Sequence, residues 1–188
     1  TKVLNFTVFY NDPRSLFSEY RIVFKDRIYH FESETNAPFI IDGGGHIGLA
    51  TLCFKKLYPD SEILIFEPDK DALLMLKKNI EANKIKKTMV YEIGLSDKKD
   101  TISFQNSGTD GAKIDPQGNS TISIDRLSNF VDKTVDFMKL NIEGEEFNVL
   151  KELEEANKLG LVKQMCVEWH SFAGQKQNLG EFLSILER

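Results

Sequence analysis

The residues Ile40-Ile41-Asp42-Gly43-Gly44-Gly45-His46-Ile47-Gly48 carry the densest chemical signal in the chain. They follow the apolar Phe39 and precede a helix-like run over 49–58, so the glycines fall where a strand turns sharply into a helix. Glycine suits such a turn because it admits positive φ and lets the backbone close on a ligand, while the free N–H groups opening the helix favour negative charge. A nucleotide-type cofactor fits that chemistry. Gly43, Gly45 and Gly48 satisfy the dinucleotide spacing G-x-G-x-x-G, and Glu67 closes the next strand where an acid would accept from ribose hydroxyls, a pattern compatible with a nicotinamide-dependent oxidoreductase. Asp42 argues the other way, because a carboxylate directly before the glycines repels a pyrophosphate and tolerates a cationic ligand. Further along, Glu143, Glu168 and His170 stand at the ends of expected strands, where a base that removes a proton from an alcohol must be. Glu168 and His170 are two apart and share a strand face, so the carboxylate is expected to orient the imidazole and raise its pKa. Lys139, inside the strand before Glu143, is expected to pair with Glu143 or another acid. Asn141, Glu143, Glu168 and His170 also form an oxygen-rich set able to take a divalent cation, although the expectation is that no metal is bound.

The elements that must position these groups alternate regularly. Apolar patterning predicts strands over 39–42, 62–67, 89–93, 136–141 and 164–168, and helices over 49–57, 70–83, 146–157 and 178–186, with Asp69 capping the second helix. Repeated βα units of this length imply a Rossmann-like, doubly wound α/β fold with a mostly parallel sheet, whose ligands bind at the carboxyl ends of the strands. Less regular sequence interrupts the pattern: short strands over 101–104 and 121–124, a Gly/Asn/Ser/Asp/Pro-rich loop over 106–119 that is either a lid or a solvated connection, and a short helix over 125–131. Residues 1–38 mix aromatic and charged residues without helical period, predicting a β-rich extension packed on the core domain of residues 39–188, with a hairpin pairing 21–25 with 27–31.

With 188 residues the chain has the size of one globular domain, and its 41% hydrophobic and 28% charged residues belong to a soluble protein without a membrane-length apolar run. A net charge of −5 with scattered basic residues gives no electrostatic footprint for nucleic acid, so a small-molecule or saccharide acceptor is the expected partner. Cys53 and Cys166 sit in apolar surroundings without the spacing of a zinc site or disulfide framework; buried free thiols and a cytoplasmic setting are expected. The chain starts at Thr1 rather than methionine, so an upstream segment is expected to be missing.

Read as acid-x-Gly-x-x-x-Gly, the loop Asp42, Gly44 and Gly48 resembles the first motif of class I S-adenosylmethionine-dependent methyltransferases. Together with Phe66-Glu67-Pro68-Asp69, Leu95-Ser96-Asp97-Lys98, Lys139-Leu140-Asn141-Ile142-Glu143-Gly144-Glu145 and Val167-Glu168-Trp169-His170, in that order, it resembles the FkbM-type methyltransferases. The resemblance implies an enzyme that methylates a hydroxyl of a sugar, polyketide or other small metabolite from S-adenosyl-L-methionine. It further implies cofactor contacts from Asp42, Gly43, Gly44, Gly45, His46, Gly48, Glu67, Pro68 and Asn141, with Leu95 in the adenine slot and Ser96 or Asp97 near the adenine amino group. Asn141 replaces the aspartate usual in that family, which leaves a non-catalytic cofactor-binding module as an alternative. The antiparallel strand pair that usually closes the fold is expected to be absent or truncated.

Overall fold

A computed structural model of the chain describes residues 1–105, 113–114, 118, 120–172 and 178–187. Two short strands, β1 (Lys2–Val3) and β2 (Phe6–Thr7), and a helix, α1 (Pro13–Tyr20), precede the alternating part. That part runs β3 (Phe39–Gly43), α2 (Leu49–Leu57), β4 (Glu62–Phe66), α3 (Lys70–Ala82) and β5 (Thr88–Tyr91). After an inserted segment of mixed pairing it resumes with β10 (Phe137–Leu140), α4 (Glu146–Glu155), β11 (Met165–Val167) and α5 (Leu179–Leu186). The inserted strands are β6 (Gly94–Ser96), β7 (Asp100–Gln105), β8 (Lys113–Ile114) and β9 (Ser120–Arg126).

All neighbours in the central sheet are parallel, in the order β11-β10-β3-β4-β5. Side chains sort by the period of two: Ile40, Ile63, Ile65 and Phe137 join the core under α2 and α3, whereas Ile41, Leu64, Phe66, Met138 and Leu140 join the core under α4 and α5. Burial on both faces is why these strands read as continuous apolar runs. The strand order reverses between β3 and β10, and that reversal opens a crevice at their carboxyl ends. The expected α/β sheet is therefore present, with α2 on its expected bounds and Asp69 capping α3 through the Asp71 and Ala72 N–H groups.

The amino-terminal segment corrects the expected hairpin. Residues 13–25 are helical: α1 passes into a π-helical turn, Arg21–Lys25, and β structure in residues 1–38 is confined to the β1–β2 pair. Asp12 decides this locally, accepting from the Ser15 N–H at 2.7 Å, with Pro13 pre-set for the first helical turn. Leu16, Tyr20 and Val23 then face the core at helical spacing. Tyr29 and Phe31, expected on a strand, are buried in irregular backbone, and Phe31 stacks on Phe137 at 4.3 Å.

The expected strands over 101–104 and 121–124 are found within β7 and β9, which pair antiparallel. The helix expected over 125–131 is not: β9 continues through Arg126, paired with Ser96 of β6, and only a 3-10 turn, Leu127–Phe130, follows. A parallel ladder partner overrode the weak local helical pattern. Apart from β8 and Gly118, the loop expected over 106–119 lies outside the described residues. Cys53 and Cys166 are free but half-buried rather than enclosed. Among the described residues no helix is long and apolar enough to cross a membrane.

Candidate active site

The glycine turn is built by what its glycines lack. Gly44 and Gly48 have φ of 77° and 91°, in the left-handed region. A Cβ on Gly44 would stand 1.8 Å from the Asn141 carbonyl oxygen, and one on Gly48 would stand 2.6 Å from Leu76 Cδ1. Likewise a Cβ on Gly45 would meet Ile65 at 2.4 Å and one on Gly43 would meet Leu140 at 2.7 Å. Glycine is required here for the expected positive φ at Gly44 and Gly48 and also so that β3, β4, β10 and α3 can close on one another, a reason the sequence argument did not include. Only Gly44 of these four lines the crevice.

Glu67 projects from the end of β4 into the bend. Its Oε2 accepts the His46 N–H at 2.7 Å and its Oε1 accepts the Asp69 N–H at 2.8 Å. Burial pushes its carboxyl up to about 7, against the opposing pull of those two N–H groups and of the His46 side chain. Two amides fix the carboxylate's plane, and each oxygen retains acceptor capacity toward the crevice. The His46 ring is held at 2.9 Å by Glu19 of α1.

Asp42 departs from its expected role. It is fully buried, accepts from Thr51 Oγ1 at 2.8 Å, and lies 3.2 Å from Lys139 Nζ, its register partner across the β3–β10 ladder. It is not on the crevice wall. With its charge paired, Asp42 cannot supply the repulsion of pyrophosphate argued from the sequence. Lys139 pairs with this acid, not with Glu143, and its ammonium also donates to the Gly43 and Gly44 carbonyls, which ties the turn to β10. Next to it, Asn141 lines the crevice with an Oδ1 that is shielded from solvent and has no hydrogen-bond partner.

Across the crevice, His170 finds a different partner from the one expected. Its Nδ1 is 2.9 Å from Glu146 Oε1 and its Nε2 is 3.7 Å from Glu143, so the hydrogen bond to Glu146 chiefly raises its pKa, with partial burial opposing and Glu168 contributing least. Glu146 opens α4 and is fully buried, accepting the Ile142 and Gly144 N–H groups at 3.0 and 3.1 Å. It thereby clamps the turn in which Glu143 and Gly144 both take positive φ. Glu168 instead accepts a hydrogen bond from the Tyr29 hydroxyl.

These groups share one crevice of about 330 Å³. Its wall includes Gly44, His46, Glu67, Pro68 and Leu95 on one side, and Lys139, Asn141, Glu143, Glu168 and His170 on the other. Ser96 is withdrawn from it, donating to Glu145 at 2.7 Å, and Asp97 is likewise off the wall. Sequence reasoning quoted Glu145 within its motif without giving it a role, and missed Glu146, the residue next to it. It also missed Glu19 and Tyr29, for which an irregular aromatic segment gives no signal. Among the described residues no three His, Cys, Asp or Glu side chains gather as a metal-binding group.

A parallel sheet of this order, with a glycine turn after its first long strand and an acid after the next, defines a class I methyltransferase fold. Solved structures agree in fold: the FkbM methyltransferase from Methylobacillus flagellatus KT has a TM-score of 0.51 at 16% identity, covering 78% of this chain, which spans only 42% of that protein's length. A precorrin-6y C5,15-methyltransferase from Geobacter metallireducens GS-15 has a TM-score of 0.52 at 12% identity, covering 96% of this chain and 74% of that one. The model of the Methyltransferase FkbM domain matches residues 42–188, and the chain belongs to the FkbM methyltransferase family. "Methyltransferase 1" of Beauveria bassiana (strain ARSEF 2860) is 26% identical over 87% of this chain and 78% of its own length. "Methyltransferase sdnD" of Sordaria araneosa is 25% identical over 79% and 73%.

Proposed function

We propose that the chain is an S-adenosylmethionine-dependent O-methyltransferase acting on a hydroxyl of a small metabolite or saccharide. The observation that carries this reading is Glu67, a carboxylate held by two amides over the glycine bend and facing the same crevice as Glu168 and His170. The residues present fit the cofactor. Glu67 would accept from both ribose hydroxyls, Leu95 and Ile93 offer an apolar slot for the adenine, and the unpartnered Asn141 Oδ1 is a ready acceptor for an ammonium donor. When bound, S-adenosylmethionine supplies a methyl group already activated on a sulfonium, so the protein's contribution is alignment and removal of the acceptor's proton. His170, its pKa raised chiefly by the hydrogen bond to Glu146, is biased toward the imidazolium and so toward donating rather than accepting. Glu168 is then the group to take the proton, with Glu143 engaged by the imidazolium.

The paired state of Asp42 and Lys139 removes one objection to a dinucleotide, and Glu67 would serve the ribose of either cofactor; the family match weighs toward methyl transfer. Calorimetry with S-adenosylhomocysteine tests the reading. Micromolar binding that is lost in Glu67→Ala is the expected result, and NADH binding without S-adenosylhomocysteine binding would overturn it.

A further inference from the structure

We propose that Tyr29 is a positioning residue that holds the Glu168 carboxylate toward the acceptor hydroxyl; the inference rests on the function proposed above. Tyr29 belongs to the amino-terminal segment, outside the residues matched by the family model. Yet it is 3% exposed, lines the crevice, and sends its hydroxyl to Glu168 Oε1 from a sequence distance of 139 residues. Its ring is wedged 6.5 Å from that of Phe54 and 5.6 Å from Lys139 Nζ, so the hydroxyl has little freedom to move.

Glu168 needs such a holder. It follows the last residue of β11, an edge strand of the parallel sheet; its N–H is fixed to the Leu140 carbonyl at 2.9 Å, but backbone bonding leaves the side-chain torsions free. The Tyr29 hydrogen bond engages one carboxylate oxygen. Among the described residues the other, Oε2, has no hydrogen-bond partner. Tyr29 cannot be the base itself, because burial and the adjacent Glu168 drive its pKa far above the ordinary phenol value and keep it a donor. As the acceptor oxygen gains the methyl and the donor's carbon–sulfur bond breaks with its electron pair left on sulfur, the hydroxyl proton passes to Oε2 while Oε1 keeps its bond to Tyr29. A misdirected carboxylate would cost alignment, which is worth about 100-fold for displacements near 1 Å.

The test uses the whole chain, Tyr29→Phe, Glu168→Gln and the double variant, with radiolabelled S-adenosylmethionine and a panel of monosaccharides, polyols and phenols. Phenylalanine keeps the ring packing against Phe54. Tyr29→Phe is expected to bind S-adenosylhomocysteine within about 3-fold of the wild type, to lose roughly 10-fold or more in kcat with a smaller change in acceptor KM, and to add nothing to Glu168→Gln. Unchanged kcat in Tyr29→Phe, or losses that multiply in the double variant, would overturn the positioning role while leaving the methyltransferase reading intact. Wild-type protein that binds no S-adenosylhomocysteine, or binds it and methylates no member of the panel, would overturn the function first and the role of Tyr29 with it.

Discussion

Glu67 and His170 are the two titrating groups on which the site depends, and both favour the protonated form in the folded chain. For Glu67 the folded value, about 7, lies above the ordinary 4.5, so its contribution to stability is present below 4.5 and is lost as pH rises through about 7. Ligand binding has the opposite sign, since ribose hydroxyls donate to the ionised carboxylate. S-adenosylhomocysteine affinity is therefore expected to rise with pH through about 7 and to lose that slope in Glu67→Gln. Glu67→Ala, which removes two charge-assisted hydrogen bonds of roughly 1.5 kcal/mol each, is expected to weaken binding about 100-fold by calorimetry. His170 has its pKa raised above the usual 6.5, chiefly by Glu146. Its stabilisation is complete below 6.5 and disappears as pH climbs through the raised value. Thermal melts of wild type against His170→Ala should accordingly differ most on the acidic side and converge on the alkaline side.

Among the elements, the strand–turn–helix of β3 and α2 tolerates least. Gly44→Ala places a methyl into the Asn141 carbonyl and forces a non-glycine residue into φ of 77°, so a loss of about 3 kcal/mol or more, or failure to fold, is expected in denaturant titration. Gly160→Ala is the control: a Cβ there meets nothing within 4 Å, and the change should stay within about 0.5 kcal/mol. The same close packing adds a reason for glycine, beyond positive φ, that the sequence does not show. Glycine spacing is legible, but whether the absent Cβ makes room for a ligand or for a neighbouring strand depends on residues such as Asn141 and Leu76, which lie far away in the chain.

At the scale of the molecule, the amino-terminal segment is joined to the core by the amides of two asparagines four residues apart, Asn79 on α3 and Asn83 at its carboxyl-terminal cap. Asn79, fully buried, accepts the Phe9 N–H at 2.6 Å and donates to the Phe9 and Ile47 carbonyls at 3.0 and 2.7 Å. Asn83 repeats the exchange with Thr7, at 2.8 and 2.7 Å. Thr7 and Phe9 are two apart on extended backbone, so their polar groups meet a helix face at i and i+4. Asn79→Ala takes the amide partner from the Phe9 N–H and from the Phe9 and Ile47 carbonyls and should cost about 3 kcal/mol, with amide exchange in residues 1–11 accelerating before that of the central strands.

By itself the sequence determined the alternation of strands and helices, the sharp turn at Gly43–Gly48 and the acid after β4, because each is a local pattern: a period of two, a period of 3.6, or a backbone only glycine adopts readily. The tertiary structure decided which charges meet. Asp42 finds Lys139 through sheet register, His170 finds Glu146 through the turn before α4, and Glu168 finds Tyr29 through a segment whose helix was set by Asp12 and Pro13. Hydrogen bonds and ion pairs form at about 3 Å between groups that the chain brings together from any separation, so their partners cannot be read from spacing.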